Sequence, residues 1–363
     1  MEKLTNKAIE LLKKLIETPS FSSEEDQTAS LIERWFKDLS ISTTRTKNNI
    51  WAVNKHFDSS KPTILLNSHH DTVKPNNGYT KDPFKYVVED GKLYGLGSND
   101  AGGCLVSLMA TFAHFYEAEN LTYNLVIVCS AEEESSGDNG LKSMLSVIPK
   151  IEVAIVGEPT LMNLAVAEKG LVVFDAIVKG TPGHAAHPND NNAIYNCIDV
   201  LKWFKDYKFE KSSEALGAVK MTVTQIEAGK QHNAIPAEVK LVVDVRVNDC
   251  YSNQDIVDIL QKESPCDEII PRGLKLNSSS IPLQHPLVKA GIEMGRKTYG
   301  SPTLSDQAVL SCPSLKLGPG DSTRSHSADE YIYIEEIEEG IKIYLELLDR
   351  VLRSSYQVFS IKY

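Results

Sequence analysis

The sequence predicts an α/β protein: a mixed, mostly parallel sheet with helices on both faces, interrupted by an inserted βαββαβ domain. Three observations carry this. Helix-period and strand-period segments alternate from the start to about residue 168, the pattern of a sheet covered on both sides. Three short apolar runs, 63–68, 124–130 and 153–157, each lead into acidic or histidine side chains, as parallel strands do when their carboxyl ends share one crevice. Near residue 170 the order changes to strand, helix, strand, strand, helix, strand, which suits a small split β-α-β sandwich.

In chain order, Ala8, Ile9, Leu11, Leu12, Leu15 and Ile16 recur at helical spacing and predict a helix over 4–17, followed by a second over 24–39. Strands are expected at 49–54 and 62–68, a helix at 101–117, and strands at 122–129 and 152–157. The inserted domain is expected to hold strands at 171–178, 218–228, 239–247 and 269–276, with helices at 192–207 and 253–262. Helices at 285–299 and 333–353, with short β segments at 302–304 and 314–317, would complete the first domain. The expected division is therefore 1–169 with 284–363 for one domain and 170–283 for the insertion. A chain of 363 residues exceeds the usual size of a single core, which agrees with two domains.

Composition excludes several classes. The net charge of −11 and the lack of a long basic run disfavour nucleic acid. The opening helix is broken by lysines and acids, and no later stretch has the length of a membrane span, so neither export nor a membrane is expected and the chain is read as cytoplasmic. Six cysteines, 104, 129, 197, 250, 266 and 312, form no C-x-x-C pair and are read as reduced thiols.

Chemistry-bearing residues gather at the three strand ends, and others join them from turns and loops. On an extended strand, positions i and i+2 share a face, so His69 and Asp71 point together while His70 points away. That makes His69 a metal ligand and Asp71 the carboxylate that orients it; a buried His–Asp pair without metal has the same spacing. Asp100, in Gly95–Gly103, precedes a helix and is either its N-cap or a carboxylate shared by two cations. In Glu132–Glu133–Glu134, neighbouring side chains diverge, so one can bind metal while the next faces a water. His184 and His187 lie in a glycine-bearing turn, Asn233 in another turn, Arg246 on a strand, and His326 in a Gly- and Ser-rich loop free to reach a crevice.

Together these elements resemble one family, the co-catalytic zinc aminoacylases, deacylases and carboxypeptidases, and within it the acetylornithine deacetylase and succinyl-diaminopimelate desuccinylase branches. The shared motifs occur in the family's order over nearly the whole chain: H-x-D (His69, Asp71), G-x-x-D-x-x-G (Asp100), E-E (Glu133, Glu134), G-E-P-T (Gly157 to Thr160), G-x-x-G-H (His184), N-x-x-P (Asn233) and the late His326. The stretches Leu66–His69, Tyr94–Asp100 and Thr303–Gln307 add to the likeness. The resemblance implies two metals: one held by His69, Asp100 and Glu158, the other by Asp100, Glu134 and His326. It makes Glu133 the general base and brings His184 across a homodimer, formed through the inserted lid domain, to stabilise an oxyanion. Nitrogen and oxygen ligands without thiolate fit Zn²⁺, with Co²⁺ or Mn²⁺ as substitutes. Removal of an acetyl or succinyl group from an amino acid such as ornithine or citrulline, as in arginine biosynthesis, is the implied reaction; a dipeptidase or carboxypeptidase is the alternative. Arg246 and Arg324 are candidates for gripping substrate carboxylates, and Asn233 is a third candidate for substrate binding. Two departures stand out: Glu132 occupies the position of the family's usual Asp, so the acidic roles can also be read one residue earlier, and Ser68 replaces a common Gly.

Overall fold

The structure is a computed structural model and describes residues 2–353. They form two compact units. One comprises the residues up to 166, 280–299 and those from 305 on; the other is Ala167–Ser279 with Gly300–Leu304. The sequence places the insertion at 170–283, a few residues later at each end, and does not show that 300–304 join it.

In the first unit Thr63–His69 lies between Asn124–Ser130 and Val153–Val156, and both pairings are parallel. Ser314–Lys316 pairs in parallel with the far side of Val153–Val156, and Asn49–Val53 runs antiparallel to Asn124–Ser130. The sheet is sandwiched, and the side chains show it residue by residue. Ile64, Leu66, Leu125, Ile127, Val153 and Ile155 enter one core with the helices Glu2–Ile16, Gly103–Phe115 and Ile334–Leu352. Their alternating neighbours Leu65, Val126, Val128 and Ala154 enter a second with Leu141, Met144 and Ile148. A strand covered on both faces must be apolar at successive positions, which is why these three runs read as continuous.

The second unit is the βαββαβ arrangement. Its strands lie in the order Lys220–Ala228, Glu238–Val247, Gly170–Lys179, Glu268–Pro271, all antiparallel. Alternate residues Val172, Phe174, Ala176 and Val178 pack with Val239, Leu241, Val243 and Val245 beneath helices Ala193–Asp206 and Asn253–Glu263. Asn192 caps the first helix by accepting the Ile194 N–H, and Ser252 with Asp255 forms a capping box on the second.

The structure differs locally from the sequence reading. The strand expected at 269–276 stops at Pro271, with one further backbone bond beyond it, from the Arg272 N–H to the Val173 carbonyl. The β segment expected at 302–304 lies instead at Thr298–Ser301, and the helix expected from 285 to 299 ends at Glu293, just before Gly295 at φ +77°. Leu164–Glu168 is a buried strand that the sequence reading left unassigned. So is a small antiparallel sheet of Val87–Glu89, Lys92–Tyr94 and Tyr331–Tyr333.

Candidate metal centre

Because Thr63–His69 has a parallel partner on each side, His69 emerges between the chain ends that carry Glu133 and Glu158. His69 is 1% exposed. Its Nδ1 lies 3.0 Å from the Asp71 carbonyl oxygen and 3.4 Å from the Asp71 carboxylate, an arrangement that presents Nε2 to the crevice. Around Nε2 stand Asp100 Oδ1 at 3.3 Å, Glu158 Oε1 at 3.7 Å and Glu133 Oε2 at 3.9 Å. Asp71 has a second role. Its carboxylate accepts the backbone N–H groups of Glu133 and Glu134 and the Ser22 hydroxyl, fixing the direction in which the acidic run leaves its strand.

Asp100 sits in a wide turn, Ser98–Gly102, ahead of the helix Gly103–Phe115. It makes no side-chain cap to that helix, so the N-cap reading of Asp100 is set aside. The turn begins at Gly97 with φ +74°, where a Cβ would come within 2.6 Å of Thr72; only glycine fits there. The two carboxylate oxygens of Asp100 face different histidines: Oδ1 is 3.3 Å from His69 Nε2 and Oδ2 3.7 Å from His326 Nε2. His326, more than half exposed, also lies 3.0 Å from Glu134 Oε2.

Glu132 takes no part. It adopts φ +55°, and its carboxylate accepts from Ser23, from the Asn139 backbone and from the Asn139 amide. Gly137 must be glycine beside it, since a Cβ there would fall 2.1 Å from Glu132 Oε2. The register shifted by one residue is therefore corrected: Glu133 and Glu134, and not Glu132, face the cluster.

The electrostatics are those of crowded buried carboxyls. Burial pushes Glu133 well above the usual carboxyl range; His69 opposes this, while Glu158, Asp306 and Glu134 add to it. Burial, then the charge of Asp100, raises Glu158 to about 8. A hydrogen bond to Glu134 is the main reason His326 rises to about 9. A cation set among these groups would relieve the repulsion. The donor atoms fit one: those of His69, Asp100 and Glu134 lie within 4.8 Å of one another, as do those of His69, Glu133 and Glu158. Glu158 Oε1 is also buried with no hydrogen-bond partner, an orphaned acceptor aimed at the cluster. Cys104 does not compete as a ligand, for its thiol donates to the Pro319 carbonyl.

Three sequence-assigned residues lie elsewhere in the second unit. The His184 and Asn233 turns pair with each other: His184 is opposite Ala234, and the Ala185 N–H donates to the Asn233 carbonyl. His184 is exposed, its Nδ1 accepting the Ala186 N–H. Arg246 and Asp244, two residues apart on one face of their strand, pair at 2.9 Å. In the first unit Arg324 is not the free fork expected from sequence. Both its terminal nitrogens bind the Glu336 carboxylate, at 2.7 and 3.0 Å, and its guanidinium lies over Tyr331.

Sequence reasoning also missed three buried acids that build this site. Glu25 accepts the Ser23 and Glu132 N–H groups. Asp306 accepts the Ser130 hydroxyl at 2.6 Å, at the end of the strand that leads to the acidic run. Glu330 holds the Asp100 turn by its backbone. Of these only Asp306 had a signal, its place in the Thr303–Gln307 stretch.

Relatives align along nearly the whole length. The chain is 28% identical to acetylornithine deacetylase of Proteus mirabilis (strain HI4320), covering 94% of this chain and 96% of that one. It is 25% identical to succinyl-diaminopimelate desuccinylase of Rickettsia felis, covering 95% and 100%. Among solved structures it superposes on a dinuclear metal-binding peptidase of Bacillus subtilis with a TM-score of 0.75 at 15% identity, over 97% and 99% of the two chains. The model of peptidase family M20/M25/M40 matches residues 65–350, which places every candidate metal ligand and Glu133 inside the matched region, and the chain belongs to that family of hydrolases.

Proposed function

We propose that the protein is a two-metal amidohydrolase that removes an acetyl or succinyl group from the α-amine of an amino acid such as ornithine or citrulline, a step suited to arginine biosynthesis. The observation that carries the reading is Asp100, whose two oxygens face two histidines, each with further carboxylates beside it. On this reading His69, Asp100 and Glu158 hold one ion and Asp100, Glu134 and His326 the other. The all nitrogen-and-oxygen donor set favours Zn²⁺, with Co²⁺ or Mn²⁺ as substitutes. Such a pair acidifies a water and polarises the scissile carbonyl.

The chain's own groups do the rest. Glu133 takes the proton of the attacking water and delivers it to the departing amine nitrogen. Asp71 keeps His69 in the tautomer that offers Nε2. His184 donates a hydrogen bond to the oxyanion, a term typically worth about 3 kcal/mol, and Asn233 orients the same turn. Arg246 exchanges its Asp244 partner for the substrate carboxylate, whereas Arg324 serves as a brace to Glu336.

We further propose a homodimer, joined through the second unit. Helix Ala193–Asp206 exposes Ile194, Tyr195 and Ile198, and Lys220–Ala228, which among the described residues pairs on one side only, exposes Ile226. Both features are of the kind that a second copy covers. Cytoplasmic residence is supported by six free cysteines. No helix among the described residues is long and apolar enough to cross a membrane.

The test is release of free amine from N-acetyl and N-succinyl forms of ornithine, citrulline and diaminopimelate, alongside a dipeptide panel, with added Zn²⁺ or Co²⁺. Turnover of an acyl amino acid is expected. Cleavage of dipeptides alone would replace this reading with a peptidase.

A further inference from the structure

We infer that Glu330 is the positioning residue that holds the two metal positions in register, by clamping the Asp100 turn onto the loop that carries His326. The inference rests on the two-metal reading above.

Glu330 is 1% exposed and makes no ion pair among the described residues. Its carboxylate instead accepts three backbone donors of the Asp100 turn: Gly97 N–H at Oε2, 3.0 Å, and the Asn99 and Asp100 N–H groups at Oε1, 2.8 and 2.9 Å. Its own carbonyl accepts the Gly95 N–H at 3.0 Å. Four contacts from one residue therefore fix the backbone from Gly95 to Asp100, and one of them ends on Asp100 itself, whose two oxygens face His69 and His326.

The other end of the clamp is the histidine loop. His326 lies four residues before Glu330, and the short segment between is held from outside. The His326 carbonyl accepts the Asn76 amide, and the Asp329 carboxylate accepts the Thr80 and Lys81 N–H groups. With the loop pinned at 326 and 329, Glu330 transmits its position to Asp100. His326 and Asp100 are then held in place relative to each other. A buried carboxylate is costly unless its oxygens are satisfied. Here three backbone donors of a single turn offset part of that cost, and their placement makes the group's use geometric. Groups that orient metal ligands in this way typically alter metal affinity about 10- to 100-fold when changed.

The experiment compares wild type, Glu330→Gln and Glu330→Asp in two ways. Gln keeps the Oε1 acceptor and turns an amide against the Gly97 N–H; Asp keeps the charge and shortens the reach. First, hydrogen exchange on metal-free protein should be faster at Gly97, Asn99 and Asp100 in both variants, with the far-UV spectrum unchanged. Second, Zn²⁺ titration against a chromophoric chelator should show two equivalents in wild type and about a tenfold or greater loss of affinity for at least one of them in the variants. For metal-saturated variants, kcat should fall with KM for the substrate little changed. Wild-type exchange rates together with wild-type affinity for both equivalents would overturn the inference while leaving the two-metal reading intact. Fewer than two equivalents bound by wild type would overturn that reading, and this inference with it.

Discussion

Glu133 and Glu132 are neighbours with opposite surroundings. Glu133 is buried among carboxyls and His69, while Glu132 is saturated by Ser23 and Asn139. If Glu133 only moves protons, Glu133→Gln should retain about two ions per chain and lose about 10²-fold or more in kcat. Glu132→Ala should instead keep both ions and most of kcat but unfold at lower temperature, because it removes the hydrogen bonds to Ser23 and Asn139 from the turn. Metal analysis with steady-state kinetics checks the pair, and equal catalytic damage from both would move the base one residue back. A second residue-scale effect lies outside the site. His285 is drawn down to about 4 by burial, and its Nδ1 accepts the Leu287 N–H as a helix N-cap. The unfolded chain protonates this histidine near pH 6.5 and the folded chain does so only near 4. Its contribution is therefore complete above about pH 6.5 and is lost as the pH falls towards 4, by at most about 3 kcal/mol. His285→Asn preserves the cap without the titration. Urea unfolding at about pH 7, 5.5 and 4.5 should show a shallower acid loss for the variant, and parallel curves would exclude His285 as a contributor.

Among the elements, legibility follows locality. The three parallel strands were readable because burial on both faces leaves each an unbroken apolar run, and His69, Glu133, Glu134 and Glu158 were readable because they lie at or just after the ends of those runs. What the sequence hid depends on distant partners. Arg324 looks like a free fork until Glu336, in the next helix, occupies it. The His184 and Asn233 turns look like separate loops until they pair. Glu330 looks like a surface acid until the Asp100 turn folds over it. Helix Ala193–Asp206 shows both sides of this. Its buried face of Cys197, Val200 and Phe204 is the expected stripe, but Tyr195 and Ile198 remain 69% and 61% exposed. If a second copy covers them, Ile198→Lys should convert a dimer to monomers in sedimentation velocity at micromolar concentration while each chain still binds its ions. A dimer that survives both this change and Ile226→Lys would put the interface elsewhere.

For the molecule as a whole, the division of labour between the two units sets the decisive test. Every candidate metal ligand and Glu133 belong to the first unit, whereas His184 belongs to the second. If the second unit pairs two subunits and delivers His184 to the partner's crevice, a subunit alone lacks a complete site and turnover depends on assembly. Mixing two inactive variants, His184→Ala and Glu133→Ala, should then restore activity. In the hybrid, the crevice of the His184→Ala chain keeps its own Glu133 and receives an intact His184 from the other chain. The second crevice of the same hybrid lacks both, so it stays silent. Random exchange makes about half the dimers hybrid, with one working site in two, and recovery should reach roughly a quarter of wild-type activity. Dilution below the dimer's dissociation constant should remove that activity without releasing metal, which separates loss of His184 from damage to the metal centre. No recovery after subunit exchange has been verified by mass would mean that His184 serves its own chain or takes no part in the reaction.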